Sequence, residues 1–137
     1  MTDQATMTTA ERNVALATSG YEAFGRGDLV AVEATFAPGI VWHAQRLGQL
    51  GGDHAGWPAV LGFFARTMEL TAGTFRIEVE EMLANDDGVA VVVRSTATRG
   101  DAHLDSRQVH LFRIVDGRTT EVWQFVDDGA AVEAFWA

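Results

Sequence analysis

The chain has 137 residues, a formal net charge of −9 and no cysteine. That length implies one domain with a sizeable core. The missing thiols exclude disulfides and cysteine-based metal sites, and the acidic balance opposes binding to nucleic-acid phosphates or anionic membranes. No apolar run approaches the ~20 residues of a membrane-spanning helix. The polar start lacks a basic segment and an apolar core, so no signal peptide is expected. Residues 1–8 are expected to form a flexible tail, and the cytoplasm is the default location.

Thr8-Thr9-Ala10-Glu11 reads as a capping box. The helix it opens should run to about Phe24, with Val14, Ala17, Tyr21 and Phe24 on one face. Gly25-Arg26-Gly27 stops it, and Asp28 caps a second, short helix from Leu29 to Phe36, ended by Pro38-Gly39. Ile40 to His43 is a short strand, and Gly48 to Gly56 a glycine-rich loop. Pro58 suits the first position of a third helix, to about Leu70, with Val60, Leu61, Phe63, Phe64 and Met68 on a broad apolar face.

The second half is different in pattern and begins with a period of two. Phe75, Ile77 and Val79 interleave with Arg76, Glu78 and Glu80 as a half-exposed strand. Strands follow over Val89–Thr98, Leu104–Val115 and Thr119–Val126, separated by turns at Asn85–Gly88, Arg99–Asp101 and Asp116-Gly117. Asp127-Asp128 starts a last helix ending at Trp136. Helices first and hairpin-linked strands later mean an α+β domain, with three N-terminal helices closing the concave face of a curved antiparallel sheet.

The last hairpin decides which polar side chains share a face. A two-residue turn at Asp116-Gly117, continued regularly, puts His110 opposite Trp123 and separates it from Gln124. A three-residue loop with Gly117 left-handed pairs His110 with Val122 and Gln108 with Gln124, so all three meet on one face beside Phe112 and Val122. The second register is favoured, because isolated buried amides and imidazoles cost more than grouped ones. The opposite face then carries Val109, Leu111, Trp123 and Phe125. It is apolar enough to call for a covering subunit, a homodimer through the outer sheet face.

The stretches "YEAFGRGDL", "VWHAQ…GGDHAGWPAVLGFF" and "FRIVDGRTTEVWQFVDD", and "QVHLFRIVDG" above all, resemble SnoaL-type polyketide cyclases. These belong to the superfamily of nuclear-transport-factor-2-like proteins and ketosteroid isomerases. The resemblance implies a cone-shaped α+β barrel around an apolar cavity, usually dimeric through its sheets. In those cyclases the glutamine and histidine of "QVH" line the cavity, here Gln108 and His110. Their acid/base aspartate on the next strand falls on Gln124, and an amide exchanges no proton at neutral pH. The Arg-x-Asp motif of related epoxide hydrolases appears as Arg94-Ser95-Thr96, without the aspartate. The basic aspartate of the isomerases aligns with His43, their oxyanion-hole aspartate falls near His110, and their helix tyrosine near Gly20, one place from Tyr21.

Two functions stay open. One is a cofactor-free isomerase or cyclase removing a proton from an apolar, polyketide- or steroid-like carbonyl compound. His43 would be its base, with His110, Gln108 and Arg94 stabilising an enolate. The other is a non-catalytic ligand-binding or assembly module that has lost its carboxylate. Each residue also has a plain structural reading. His43 can be a hydrogen-bonded strand end, His110 a satisfied core histidine, and Arg94 the outward partner of a carboxylate. Gln124, Phe112, Val122, Trp42 and Trp57 are candidate ligand contacts, and Tyr21 and Phe24 are most simply core. His43, His54, His103 and His110 have no chelating spacing, so no metal is expected.

Overall fold

The computed structural model describes residues 6–137, so of the tail expected over residues 1–8, residues 1–5 lie outside the described residues. Thr8 is a helix cap. Its hydroxyl accepts from the Glu11 N–H at 3.1 Å, and the Glu11 carboxylate accepts from the Thr8 N–H at 3.1 Å. Helix α1 spans Thr9–Gly25 and α2 spans Leu29–Thr35, the latter capped by Asp28. Strand β1 is Phe36–Ala44, β2 is Gly52–Ala55 and α3 is Trp57–Leu70. Strands β3 (Arg76–Asn85), β4 (Gly88–Arg99), β5 (Ala102–Val115) and β6 (Arg118–Val126) lead to α4, Gly129–Trp136.

The six strands form one curved sheet in the order β2-β1-β6-β5-β4-β3. Its edges, β2 and β3, do not meet, so the sheet is open and the helices complete the enclosure. The expected fold class is what the chain adopts, with three local differences. First, part of the glycine-rich segment is a strand: β2 pairs antiparallel with β1, Trp42 opposite His54 and His43 opposite Asp53. Second, β1 begins at Phe36 and runs through Pro38-Gly39 rather than after them. Third, β1 pairs with β6 in parallel, so the sheet is mixed rather than wholly antiparallel. β2, α3 and β3 to β5 all lie between these two strands in the chain, so nothing local revealed the parallel pairing.

The last hairpin combines both alternatives. Val115 pairs with Arg118 across a two-residue turn. Asp116 (φ 50°) and Gly117 (φ 75°) are both left-handed, as the hairpin-favoured turn of that length requires. Beyond Thr119 the register shifts, and Thr120 is the extra residue of a bulge. From there Phe112 pairs with Val122, His110 with Gln124 and Gln108 with Val126. The shared face was anticipated correctly, but the pairs are two residues away from those expected. A bulge, not a longer loop, restores the parity.

Inward positions alternate as the pleat demands. They are Val89, Val91, Val93, Ser95 and Ala97 on β4, Leu104 to Ile114 at even positions on β5, and Val122 and Gln124 on β6. Ile40, Trp42 and Ala44 do the same on β1. Helix α3 buries Val60, Phe63, Phe64 and Thr67 against this wall.

Candidate functional site

Between α1, α3 and the inner face of the sheet lies a cavity of about 70 Å³. Tyr21 and Phe24 of α1, Phe64 of α3, and Trp42, His110 and Gln124 of the sheet are among the residues that line it. No Asp, Glu, Lys or Arg lines it; His110 and Tyr21 are its ionisable groups.

Its polar end is one connected chain. Tyr21 Oη lies 2.6 Å from His110 Nδ1. His110 Nε2 lies 3.4 Å from Gln108 Oε1, which also accepts from Gln124 Nε2 at 2.8 Å. Gln124 Oε1 in turn accepts from Trp42 Nε1 at 2.9 Å. Grouping satisfies five polar side chains that would otherwise be buried alone among aromatics. The rings pack tightly as well: Trp42 meets His110 edge-on at 5.4 Å and Phe64 at 5.5 Å.

Burial sets the protonation states. His110 is 2% exposed, and desolvation of its charged form lowers its pKa to about 4, so the ring is neutral at pH 7. Burial likewise raises the Tyr21 phenol well above its ordinary value. Neither group carries charge near neutrality, in keeping with a cavity that offers no counter-ion.

The structure brings together Trp42, His110, Phe112 and Gln124 on the cavity wall as expected. Gln108 is buried behind them and reaches the cavity through His110 and Gln124. Val122 is fully buried in the core beside Phe112 but is not on the cavity lining. Trp57 starts α3 and packs on Phe36 at 5.9 Å and Phe64 at 6.3 Å; it too lies outside the lining.

Two further expectations fail on geometry. His43 is not in the cavity. It is opposite Trp123 in the parallel pairing of β1 with β6, on the outer face, and stacks on that ring at 5.3 Å. Its Nε2 donates to Glu121 at 2.7 Å and its Nδ1 to Asp53 at 2.7 Å. The Glu121 bond, then the Asp53 bond, raise its pKa, because both carboxylates favour the protonated ring. The reason is parity: Trp42 points inward, so its neighbour His43 points outward. Arg94 also faces out, where its guanidinium grips Asp105 through Nε at 2.7 Å and Nη2 at 2.6 Å. That contact lowers the Asp105 pKa, and the two side chains are half-exposed.

Tyr21, most simply core from its place in the sequence, is a polar member of the cavity wall. It is the chain's one tyrosine and sits on an apolar helix stripe. A buried phenol needs a hydrogen-bond partner, and that requirement was the available signal. Thr35 and Thr67, on helix faces, also line the cavity. Among the described residues no cluster of His, Asp or Glu is arranged to hold a metal. No described helix is long and apolar enough to cross a membrane.

Comparison with known proteins places this geometry. Residues 17–122 match the SnoaL-like domain. An uncharacterised protein of Mycobacterium tuberculosis is 34% identical over 138 aligned positions, covering 100% of both chains. The solved structure of Bal32a, from a soil-derived mobile gene cassette, superposes with a TM-score of 0.91 at 32% identity, over 95% of this chain and 100% of that one. A SnoaL-like protein from Jannaschia shares the fold at TM-score 0.76 and 21% identity, over 100% of this chain and 99% of that one.

Proposed function

Because this chain belongs to the SnoaL-like domain family, and because its cavity carries a neutral polar relay but no carboxylate, we propose that it binds a small, uncharged, mainly apolar molecule. The observation that carries the reading is the wall itself: aromatic side chains around one hydrogen-bonded end, Tyr21–His110, with no charged partner for an ionic ligand. A charged ligand entering this site would lose its hydration without gaining a counter-charge. Size narrows the class further. Ligand pockets for drug-sized molecules span roughly 300–1,000 Å³, and benzene occupies a cavity of about 150 Å³. At about 70 Å³ the cavity must widen even for one ring, most simply by outward movement of α1 or α3. A steroid-sized compound requires a much larger opening.

The binding reading is favoured over proton abstraction. A base with a pKa of about 4 takes up a proton poorly at pH 7, and His43 stands on the outer face. A cofactor-free isomerase or cyclase remains the second reading. It is supported by the Tyr21–His110 contact at 2.6 Å, an ionisable pair touching the cavity. That reading predicts solvent-deuterium exchange at the α-carbon of a bound ketone, which the binding reading does not.

The outer face supports a partner as well. Leu83, Leu111 and Phe125 are 59, 41 and 44% exposed, beside Trp123, and a second copy of the chain would cover them. Leu111→Glu should then turn a dimer into a monomer in analytical ultracentrifugation. A wild-type monomer refutes the dimer.

The cavity reading is tested by thermal shift with a panel of neutral one- to three-ring compounds, set against carboxylates and amines of equal size. Neutral compounds should raise Tm in a concentration-dependent way and charged ones should not. Equal stabilisation by charged ligands, or none by any, refutes it.

A further inference from the structure

The hydrogen bonds at the polar end of the cavity converge on Gln108 Oε1 from both sides, and the sense of the His110 arm selects the ligand. The starting point is Trp42. An indole Nε1–H can only donate, so the Gln124 atom facing it at 2.9 Å is the amide oxygen. The other Gln124 terminus is therefore the NH2 group, and it donates to Gln108, whose facing atom must be oxygen. That oxygen also faces His110 Nε2. Two acceptors would repel, so Nε2 carries the imidazole hydrogen and Nδ1 is bare. Tyr21 then has one role open to it: its hydroxyl donates to Nδ1 at 2.6 Å.

The consequence appears on the cavity side. With its hydrogen committed to His110, Tyr21 presents only oxygen lone pairs to a ligand. Two further lining hydroxyls are committed in the same way. Thr35 Oγ1 donates to the Val32 carbonyl at 2.7 Å, and Thr67 Oγ1 donates to the Phe63 carbonyl at 2.8 Å. Three of the polar groups on the lining are thus acceptors. The remaining polar hydrogens on lining side chains belong to the Gln124 amide and the Thr119 hydroxyl.

We propose that the cavity selects an apolar molecule bearing a free hydroxyl, such as a phenol, alcohol or enol, which donates its hydrogen to Tyr21 Oη. A hydroxyl ligand extends the relay by one donor. A ketone or aldehyde placed at the Tyr21 end sets its carbonyl oxygen against the Tyr21 lone pairs. To accept from Tyr21 it must break the Tyr21–His110 bond and leave Nδ1 unpaired in an apolar site. The proposal rests on the cavity being a ligand site and adds the chemical class of the ligand.

The test uses three one-ring probes of similar size: phenol, benzaldehyde and toluene. Each is titrated into the full-length protein while the cavity methyl and aromatic resonances are followed by NMR. Phenol should bind about tenfold more tightly than benzaldehyde, the worth of one good hydrogen bond. Toluene reports whether the cavity accepts a ring at all. Tyr21→Phe should bring the phenol-to-benzaldehyde ratio, read within the variant, close to one. The 15N shifts of His110 in the unliganded wild type should show a protonated Nε2 and a bare Nδ1, a readout that does not depend on the variant folding. Benzaldehyde binding as tightly as phenol, or a protonated Nδ1, overturns the proposal while the cavity reading stands. If none of the three probes perturbs the cavity resonances, the cavity reading falls and takes this inference with it.

Discussion

Acid should destabilise this protein through His110, by an amount the structure sets. The unfolded ring titrates near its ordinary value of 6.5, whereas the folded ring, buried and neutral, titrates at about 4. Between those values the unfolded chain holds a proton that the folded chain does not, so stability rises with pH. The contribution is fully present above pH 6.5 and is lost as pH falls through the folded value. The whole shift corresponds to about 3 kcal/mol, and about 2 kcal/mol should already be lost at pH ~5 relative to pH ~7.5. His43 works in the opposite sense: its raised pKa gives a contribution complete below 6.5 and lost as pH rises through the raised value. The measurement must therefore isolate His110. Urea unfolding of wild type and His110→Asn at both pH values does so, because the amide is isosteric with part of the ring and does not titrate. The wild type should lose about 2 kcal/mol more than the variant on acidification. Equal losses would mean that His110 is not held neutral by burial, and would refute the desolvation argument.

Three other predictions follow from local geometry. A Cβ on Gly88 would collide with the Phe112 carbonyl oxygen of the neighbouring strand. Gly88→Ala should therefore cost about 3 kcal/mol or more in denaturant unfolding, whereas Gly62→Ala, on an open face of α3, should gain about 0.5–1 kcal/mol. Among the described residues Ser95 Oγ is the buried side-chain polar atom with no hydrogen-bond partner. Ser95→Ala should leave the protein as stable or more so, by about 1 kcal/mol, and a marked drop in Tm would show that the hydroxyl is satisfied. His43→Ala should leave toluene binding in the cavity unchanged. It should cost about 1 kcal/mol of stability at pH 6, a cost that shrinks at alkaline pH; a lost cavity signal in a folded variant would contradict the outward placement.

Local chemistry made most elements legible in the chain. The capping box at Thr8–Glu11, Asp28 before α2, Pro58 in the first turn of α3, the alternation that opens β3 and the β-branched run of β4 each act through neighbours in sequence. They fold as read because their hydrogen bonds and buried faces are set within a few residues. The polar triad Gln108, His110 and Gln124 was legible for the same reason: a hairpin is a local object, and the cost of burying lone polar groups favours one shared face.

Tertiary structure decided the rest. The bulge at Thr120 set the actual pairs, since one extra residue shifts the register without leaving a mark in the hydrophobic pattern. The parallel pairing of β1 with β6 fixed which side of β1 faces inward. That choice sent Trp42 into the cavity and His43 out to Glu121 and Asp53, reversing the role that His43 seemed to offer. Tyr21 joined His110 only because α1 crosses the concave face at that point, bringing together residues 89 apart in sequence. The sequence by itself determined the α+β fold, its core positions and the amides and imidazole on one wall. Which ionisable groups meet, and in which direction their hydrogen bonds run, depended on long-range register and helix placement, because a hydrogen bond is set by ångströms that no local pattern encodes.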